Sequence, residues 1–294
     1  MQINNQLKKR IKQLLRRFPA LGIFGGKVMR PLYYSFERRA YSGRDKVDDS
    51  GPTSIVFFGH YRCATMMLMR RLSDLIEGKG YKKVDYQGYV HSWPISEREL
   101  FQRDQEGHER VGRFLPKSRF YSPLRYFVAI PNLPDYKTIL VLRDPRDVLV
   151  SRFYSEKFAH VRLDERFKAH CEEVEKLELD EFVLKFAQQV GDHYRFYMEH
   201  QDALRNALVI NYEEVIADFR GFLTRVNEYA ELERSPEELQ TISDRESFSV
   251  DAEDIYSHKR SVSARGFEKK LQESTIAKLN EEFDTVLQHF GWEV

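Results

Sequence analysis

Short apolar runs, each closed by a turn signal, set the rhythm of the chain. Ile55-Val56-Phe57-Phe58 ends at Gly59, Ile139-Leu140-Val141-Leu142 at Arg143-Asp144-Pro145, and Ala207-Leu208-Val209-Ile210 at Asn211. Runs of this length without polar alternation fit strands covered on both faces, as in parallel sheets. Phe127–Ile130 reads as a further short strand, and the alternation from Lys83 to Val90 as an edge or short strand. Between these runs the period becomes helical. Met66–Glu77 carries a stripe of Met67, Leu68, Leu72, Leu75 and Ile76. Asp147 onward reads as a helix start after the Asp144-Pro145 break. Ser96–Arg110 opens on a capping box of Ser96 and Glu99. A helix from Leu179 runs through Phe182, Phe186, Val190, Tyr194 and Tyr197, and helices follow at Phe219–Leu232, Pro236–Ser243 and Leu279–Phe290. Gly112–Tyr126, rich in Arg, Tyr and Pro, reads as a long loop. The pattern predicts an α/β fold: a single domain over residues 51–294, with a central, mostly parallel sheet flanked by helices, behind a basic helical extension and linker over residues 1–50.

Chemistry concentrates where strands give way to helices. Arg143 closes a buried strand, and Ser151 lies eight residues on, in the first turns of a helix. Ligands of open parallel sheets bind at the carboxyl ends of strands. There the guanidinium fork, a hydroxyl and the N–H groups of a helix start can grip one phosphate. The plainer alternative is an ion network of Arg143 with Asp144 or Asp147. Gly59-His60-Tyr61-Arg62-Cys63-Ala64-Thr65 makes a second crossing, again strand, tight loop and helix, which is the shape of an anion cradle. The loop lacks the G-x-x-x-x-G-K-[ST] pattern, which disfavours an ordinary kinase or ATPase.

Net charge is +1, so the whole protein makes no electrostatic case for nucleic acid. The cysteines, Cys63 and Cys171, form no disulfide framework and fit a reducing, cytoplasmic setting. No apolar run reaches the ~20 residues that a bilayer requires. Residues 1–44 are strongly basic, with Glu37 as their single acid, and Ile3, Leu7, Ile11, Leu14, Leu15 and Phe18 recur at helical spacing. Such a helix packs on the body with its basic face in water, or lies on an anionic membrane surface.

Arg143 to Ser151, with Phe153-Tyr154 beyond, resembles the 3′-phosphate motif of sulfotransferases that use 3′-phosphoadenosine 5′-phosphosulfate (PAPS). Tyr61-Arg62-Cys63-Ala64-Thr65-Met66-Met67-Leu68 is similar to that family's 5′-phosphosulfate loop, Pro-Lys/Arg-Ser-Gly-Thr-Thr/Ser-Trp-Leu. Arg62 falls on the basic position and Thr65 on the first Thr. Tyr61, Cys63, Ala64 and Met66 depart from the pattern. Asn211-Tyr212-Glu213-Glu214 resembles a segment whose Tyr lies by the adenine, and Phe248 lies in one resembling a second adenine contact. His258 to Phe267 resembles the basic loop that closes over the 3′-phosphate, with Arg260 on its Arg and Phe267 on its Trp. The resemblance runs from about Ser54 to Trp292 and implies a P-loop-like sulfotransferase fold. It implies PAPS as donor, PAP as released product and no metal.

On that resemblance Arg62 would face the bridging oxygen of the donor, with the backbone of Cys63, Ala64, Thr65 and Met66 around the 5′-phosphate. Arg143, Ser151, Arg260 and Ser261 would hold the 3′-phosphate, and Tyr212 and Phe248 the adenine. The acceptor would be a hydroxyl or amine of a small molecule or carbohydrate, and Gly112–Tyr126 would wall its side of the site. Its proton needs a base, commonly His in the family. The usual position offers Tyr121 and Ser122 instead, which leaves His91 first and His160 second. Competing readings are an atypical P-loop kinase or nucleotide hydrolase, and a non-catalytic PAP-binding scaffold.

Overall fold

The computed structural model describes residues 34–45, 50–91, 114–125, 127–159, 165–246 and 264–294. In chain order the elements are α1 (Ser35–Tyr41), β1 (Ile55–Gly59), α2 (Thr65–Leu75), β2 (Lys82–Val84), α3 (Tyr86–His91), β3 (Arg119–Leu124) and β4 (Lys137–Leu142). They continue with α4 (Pro145–Tyr154), a π-helical turn at Ser155–Ala159, α5 (Glu165–Val174), α6 (Leu179–Glu199), β5 (Leu208–Asn211), α7 (Tyr212–Ala217) and α8 (Phe219–Tyr229). Last come α9 (Pro236–Ser243), a 3-10 turn at Gly266–Lys269 and α10 (Glu273–Phe290). The chain divides into compact units, Ser50–Lys83 with Pro116–Val294, and Val84–Leu115 with the N-terminal segment.

The larger unit has the expected α/β architecture. Its sheet runs β2-β3-β1-β4-β5, and β3, β1, β4 and β5 pair in parallel. Alternate side chains of the apolar runs go to opposite faces. Ile55, Phe57, Ile139 and Val141 join Leu68, Leu72 and Leu75 of α2, Phe222 and Leu223 of α8 and Leu239 of α9 in one core. Phe58 turns the other way, onto Tyr197 of α6, with ring centroids 6.2 Å apart. On that side α6 packs against α4 and α10. Each fully buried aliphatic side chain contributes roughly 1.5–3 kcal/mol of transfer free energy, which makes these central strands the firmest part of the unit. No helix among the described residues is long and apolar enough to cross a membrane.

Three local expectations are corrected. The Lys83–Val90 alternation is strand only through Val84. Tyr86 and Tyr89, three apart, sit on one face of α3 against Tyr41, at 6.1 and 5.9 Å between rings, so His91 ends a helix rather than following a strand. Gly112–Tyr126 contains β3, all of it buried. The polar Arg119 and Ser122 hid this strand, yet the Arg119 guanidinium is covered and donates to Ser118 O at 3.0 Å. Phe127–Ile130 forms no strand. Phe127 instead stacks on Phe58 at 5.7 Å, and Val128 and Ile130 are buried anchors of an irregular segment.

Candidate active site

Strand register brings the crossings to one level. Gly59 pairs with Val141 and Leu142 with Asn211, so the chain leaves β1, β4 and β5 side by side. The β1–α2 loop is tied from within. His60 N–H donates to Val141 O at 3.3 Å, and His60 O accepts Cys63 N–H at 3.4 Å and the Thr65 hydroxyl at 3.0 Å. Arg62 and Ala64 take left-handed backbone, φ 68° and 51°. That conformation costs an L-residue roughly 1–2 kcal/mol. Ala64 stands where the resembling loop has Gly, and it follows the glycine-type path despite its Cβ. α2 starts with no side-chain cap and no acid in its first turn. Its leading N–H groups and the positive end of its dipole therefore suit an anion.

The loop's side chains mostly turn inward. Cys63 is fully buried in the core, its Sγ donates to Tyr61 O at 3.6 Å, and burial pushes its thiol pKa up, so it is no thiolate nucleophile. Thr65 gives its hydroxyl to His60, and Met66 is exposed. Side-chain chemistry here falls to Arg62. Ala64, Thr65 and Met66 can meet a phosphate only through backbone N–H groups, and the Cys63 N–H is already given to His60 O.

The β4–α4 crossing is built differently. Asp144 caps α4 by accepting Arg146 N–H at 2.9 Å, and Pro145 occupies the first turn. Of the N–H groups that this helix start is expected to offer a phosphate, that of Arg146 is taken by the chain's own Asp144 carboxylate. Arg146, 1% exposed, forks onto Asp144 at 3.0 and 2.7 Å. It also donates to Asn280 Oδ1 at 2.7 Å and Glu293 O at 2.6 Å, and lies 4.3 Å from the Phe267 ring centre. Asp147 accepts Phe267 N–H at 2.9 Å, which anchors the end of the 264–267 loop onto α4. Burial raises the Asp147 carboxyl pKa, and the 3.5 Å contact with Arg143 opposes that shift only in part. Glu213 accepts Asp144 N–H at 3.2 Å and Trp292 Nε1–H at 3.3 Å, and burial raises its pKa as well.

Arg62, Arg143 and Ser151 come together through direct bonds. Arg62 Nε donates to Ser151 Oγ at 2.9 Å and its Nη1 to Ser155 Oγ at 3.0 Å. Arg143 Nη1 donates to Arg62 O at 3.1 Å, and the Arg143 guanidinium lies 4.6 Å from the Tyr212 ring centre. Tyr212 opens α7 and is buried. Tyr194 of α6 donates its hydroxyl to Arg143 O at 2.5 Å. Arg62 thus meets the serine assigned by resemblance to the donor's other end. His160, Phe248, Arg260 and Ser261 lie outside the described residues, and so does the His91 side chain. Tyr121 and Ser122, at the usual base position, are buried in β3.

Sequence reasoning passed over Ser155 and His193. Ser155 lies four residues beyond Ser151, a helical spacing that was there to be read. His193 sits three past Val190 on the apolar face of α6, but its partner His60 is 133 residues away, beyond any local signal. Among the described residues no group of three or more His, Cys, Asp and Glu is gathered to hold a metal ion.

The sequence from residue 55 to 290 matches the family model described as the sulfotransferase domain. The chain belongs to the sulfotransferase domain family. A 3-beta-hydroxysteroid sulfotransferase of Cavia porcellus is 30% identical over 183 residues, 59% of this chain and 58% of that protein. An amine sulfotransferase of Oryctolagus cuniculus is 32% identical over 135 residues, 42% of this chain and 40% of that protein. The matches therefore span 58% and 40% of these curated relatives' lengths. Among solved structures, retinol dehydratase with retinol and PAP superposes with TM-score 0.56 at 14% identity, covering 89% of this chain and 87% of that one. A mouse sulfotransferase complexed with PAP gives TM-score 0.55 at 18% identity, covering 82% of this chain and 87% of that one. These structures share the sulfotransferase fold.

Proposed function

We propose that this sulfotransferase-family chain moves a sulfuryl group from PAPS to a hydroxyl or amine of a small-molecule acceptor and releases PAP. One observation carries the reading: at the carboxyl ends of adjacent parallel strands Arg62 donates its guanidinium to the Ser151 hydroxyl and accepts the Arg143 guanidinium at its backbone carbonyl. PAP in the related solved structures and the small-molecule names of the relatives support it.

The residues fit a doubly phosphorylated nucleotide. The acid-free start of α2 and its tight loop suit the 5′-phosphate, and Arg143 with Ser151 the 3′-phosphate. Tyr212 would border the adenine, joined by Phe248, Arg260 and Ser261 from the C-terminal loops. PAPS supplies an activated sulfuryl whose leaving oxygen gathers negative charge. Arg62 would neutralise that charge while staying protonated, an electrostatic rather than acid role. His91 and His160 remain the proposed bases for the acceptor proton, and a carbohydrate hydroxyl remains within the proposed acceptor class. Residues 1–44 would give peripheral contact with an anionic membrane.

Isothermal titration with PAP, ATP and NAD tests the donor site, and labelled PAPS in a metabolite extract, with products identified by mass, tests transfer. PAP binding with transfer is expected. Binding of ATP with Mg²⁺ but not PAP would establish the kinase or hydrolase reading instead. PAP binding with no transfer to any component would establish the scaffold.

A further inference from the structure

The left-handed conformation of Arg62 is held from both sides. Tyr61 O accepts a hydrogen bond from His60 Nδ1 at 3.1 Å, and Arg62 O accepts one from Arg143 Nη1 at 3.1 Å. Those carbonyls belong to the peptide planes on either side of the Arg62 Cα. Fixing both planes fixes φ and ψ there. The carbonyl is only an acceptor, so His60 Nδ1 carries the proton, and neutral His60 must then accept at Nε2. Nε2 lies 3.2 Å from His193 Nδ1, which makes His193 the donor. Neutrality follows from the surroundings. The ring is 1% exposed, and its pKa is lowered to about 3, first by burial and then by His193, with Arg152 and Arg125 adding to the shift and the Tyr61 carbonyl opposing it. His193 also directly precedes Tyr194, whose hydroxyl holds Arg143 O. Consecutive residues of α6 therefore hold the β1–α2 loop through His60 and the β4–α4 loop directly.

We propose that the His60–His193 pair is a positioning device for Arg62: a tautomer-locked chain of hydrogen bonds from α6 that fixes the strained Arg62 backbone and aims its guanidinium at Ser151 and Ser155. The inference rests on the reading of Arg62 as the group facing the oxygen from which the sulfuryl departs. A histidine that merely fills space does not distinguish its ring nitrogens. A tautomer lock does.

Asn places an amide N–H near the Nδ1 position, whereas Gln places its amide near Nε2. Relative to wild type, His60→Gln is expected to lower the rate of labelled PAPS-to-PAP conversion about 10–100-fold, as misaimed catalytic groups do. PAP affinity should fall as well, because the oxygen that Arg62 would face stays on the 5′-phosphate of PAP when the sulfuryl leaves. His60→Asn, which restores the donor to Tyr61 O, should recover most of the lost rate. Equal losses in both variants, or a loss that tracks melting temperature, would overturn the proposal. A readout independent of turnover is the long-range ¹H–¹⁵N spectrum of the imidazoles in the wild-type protein. An Nδ1–H tautomer of His60 supports the lock, and an Nε2–H tautomer sinks it. If wild type neither binds PAP nor converts PAPS, the functional reading fails, while the tautomer result still decides the geometry.

Discussion

The crossings β1–α2 and β4–α4 share a topology and differ in how their helix starts are satisfied. α2 has no side-chain cap, no acid in its first turn and strained residues at Arg62 and Ala64. α4 has the Asp144 cap, Pro145 in its first turn, Asp147 in contact with Phe267 and a buried Arg146–Asp144 fork. One end is left electrostatically open to an anion, and the other is closed by the chain itself. The contrast separates roles that sequence spacing merges. Arg62 rides on a loop that ends in an uncapped helix start, and its half-buried guanidinium leans on Ser151 and Ser155. Arg143 projects from a crossing that is fastened to α6, α10 and the C-terminal turn before any ligand arrives.

The comparison can be broken most forcefully at the closed end. Arg146→Met strands a buried carboxylate, and loss of one partner of such a pair costs about 3–5 kcal/mol. Urea unfolding should show that loss, and a change under ~1 kcal/mol would mean that the crossing is not self-fastened. At the open end the prediction reverses. Arg62→Met should leave the melting temperature nearly unchanged and lower PAPS conversion by about 10²–10³-fold, the usual cost of removing a group that meets developing charge. A large stability loss would place Arg62 in the framework instead.

Acid sharpens the contrast further. His60 titrates near 3 in the folded protein, against ~6.5 unfolded. Between these values the unfolded chain binds a proton that the folded one refuses. His60 therefore contributes in full above about pH 6.5, and that contribution is lost as pH falls toward 3. From pH 7.5 to 4.5 the loss is about 2–3 kcal/mol. The raised carboxyls of Asp147 and Glu213 act in the opposite sense, favouring the fold in acid. Comparing wild type with His60→Asn cancels their part, and the variant should show the shallower acid slope. The smallest effect lies at Ala64. Ala64→Gly relieves a left-handed Cβ and should stabilise by about 0.5–1 kcal/mol in thermal unfolding, after the entropy that glycine gains in the unfolded chain.

The apolar runs were readable because a strand buried on both faces needs no polar alternation, and β1, β4 and β5 lie where they predict. The Arg62 and Arg143 loops were readable because each follows such a run. β3 was not, since Arg119 and Ser122 look like loop residues until Ser118 O and the neighbouring strands cover them. α3 was mistaken for a strand because Val84 and Tyr86 alternate with Lys83, Asp85 and Gln87, whereas the three-residue step from Tyr86 to Tyr89 fits only the helical period.

Sequence alone determined that strands would end in basic loops and that the sheet would be parallel, because local periodicity and turn residues act within a few positions. Only tertiary structure decided that Arg62 would lean on Ser151 and Ser155, that Asp144 would close its own helix start, and that His60 would meet His193. Those contacts depend on strand register and on how α6 packs over the sheet. Both are set by the whole core, and no local stretch of chain encodes them.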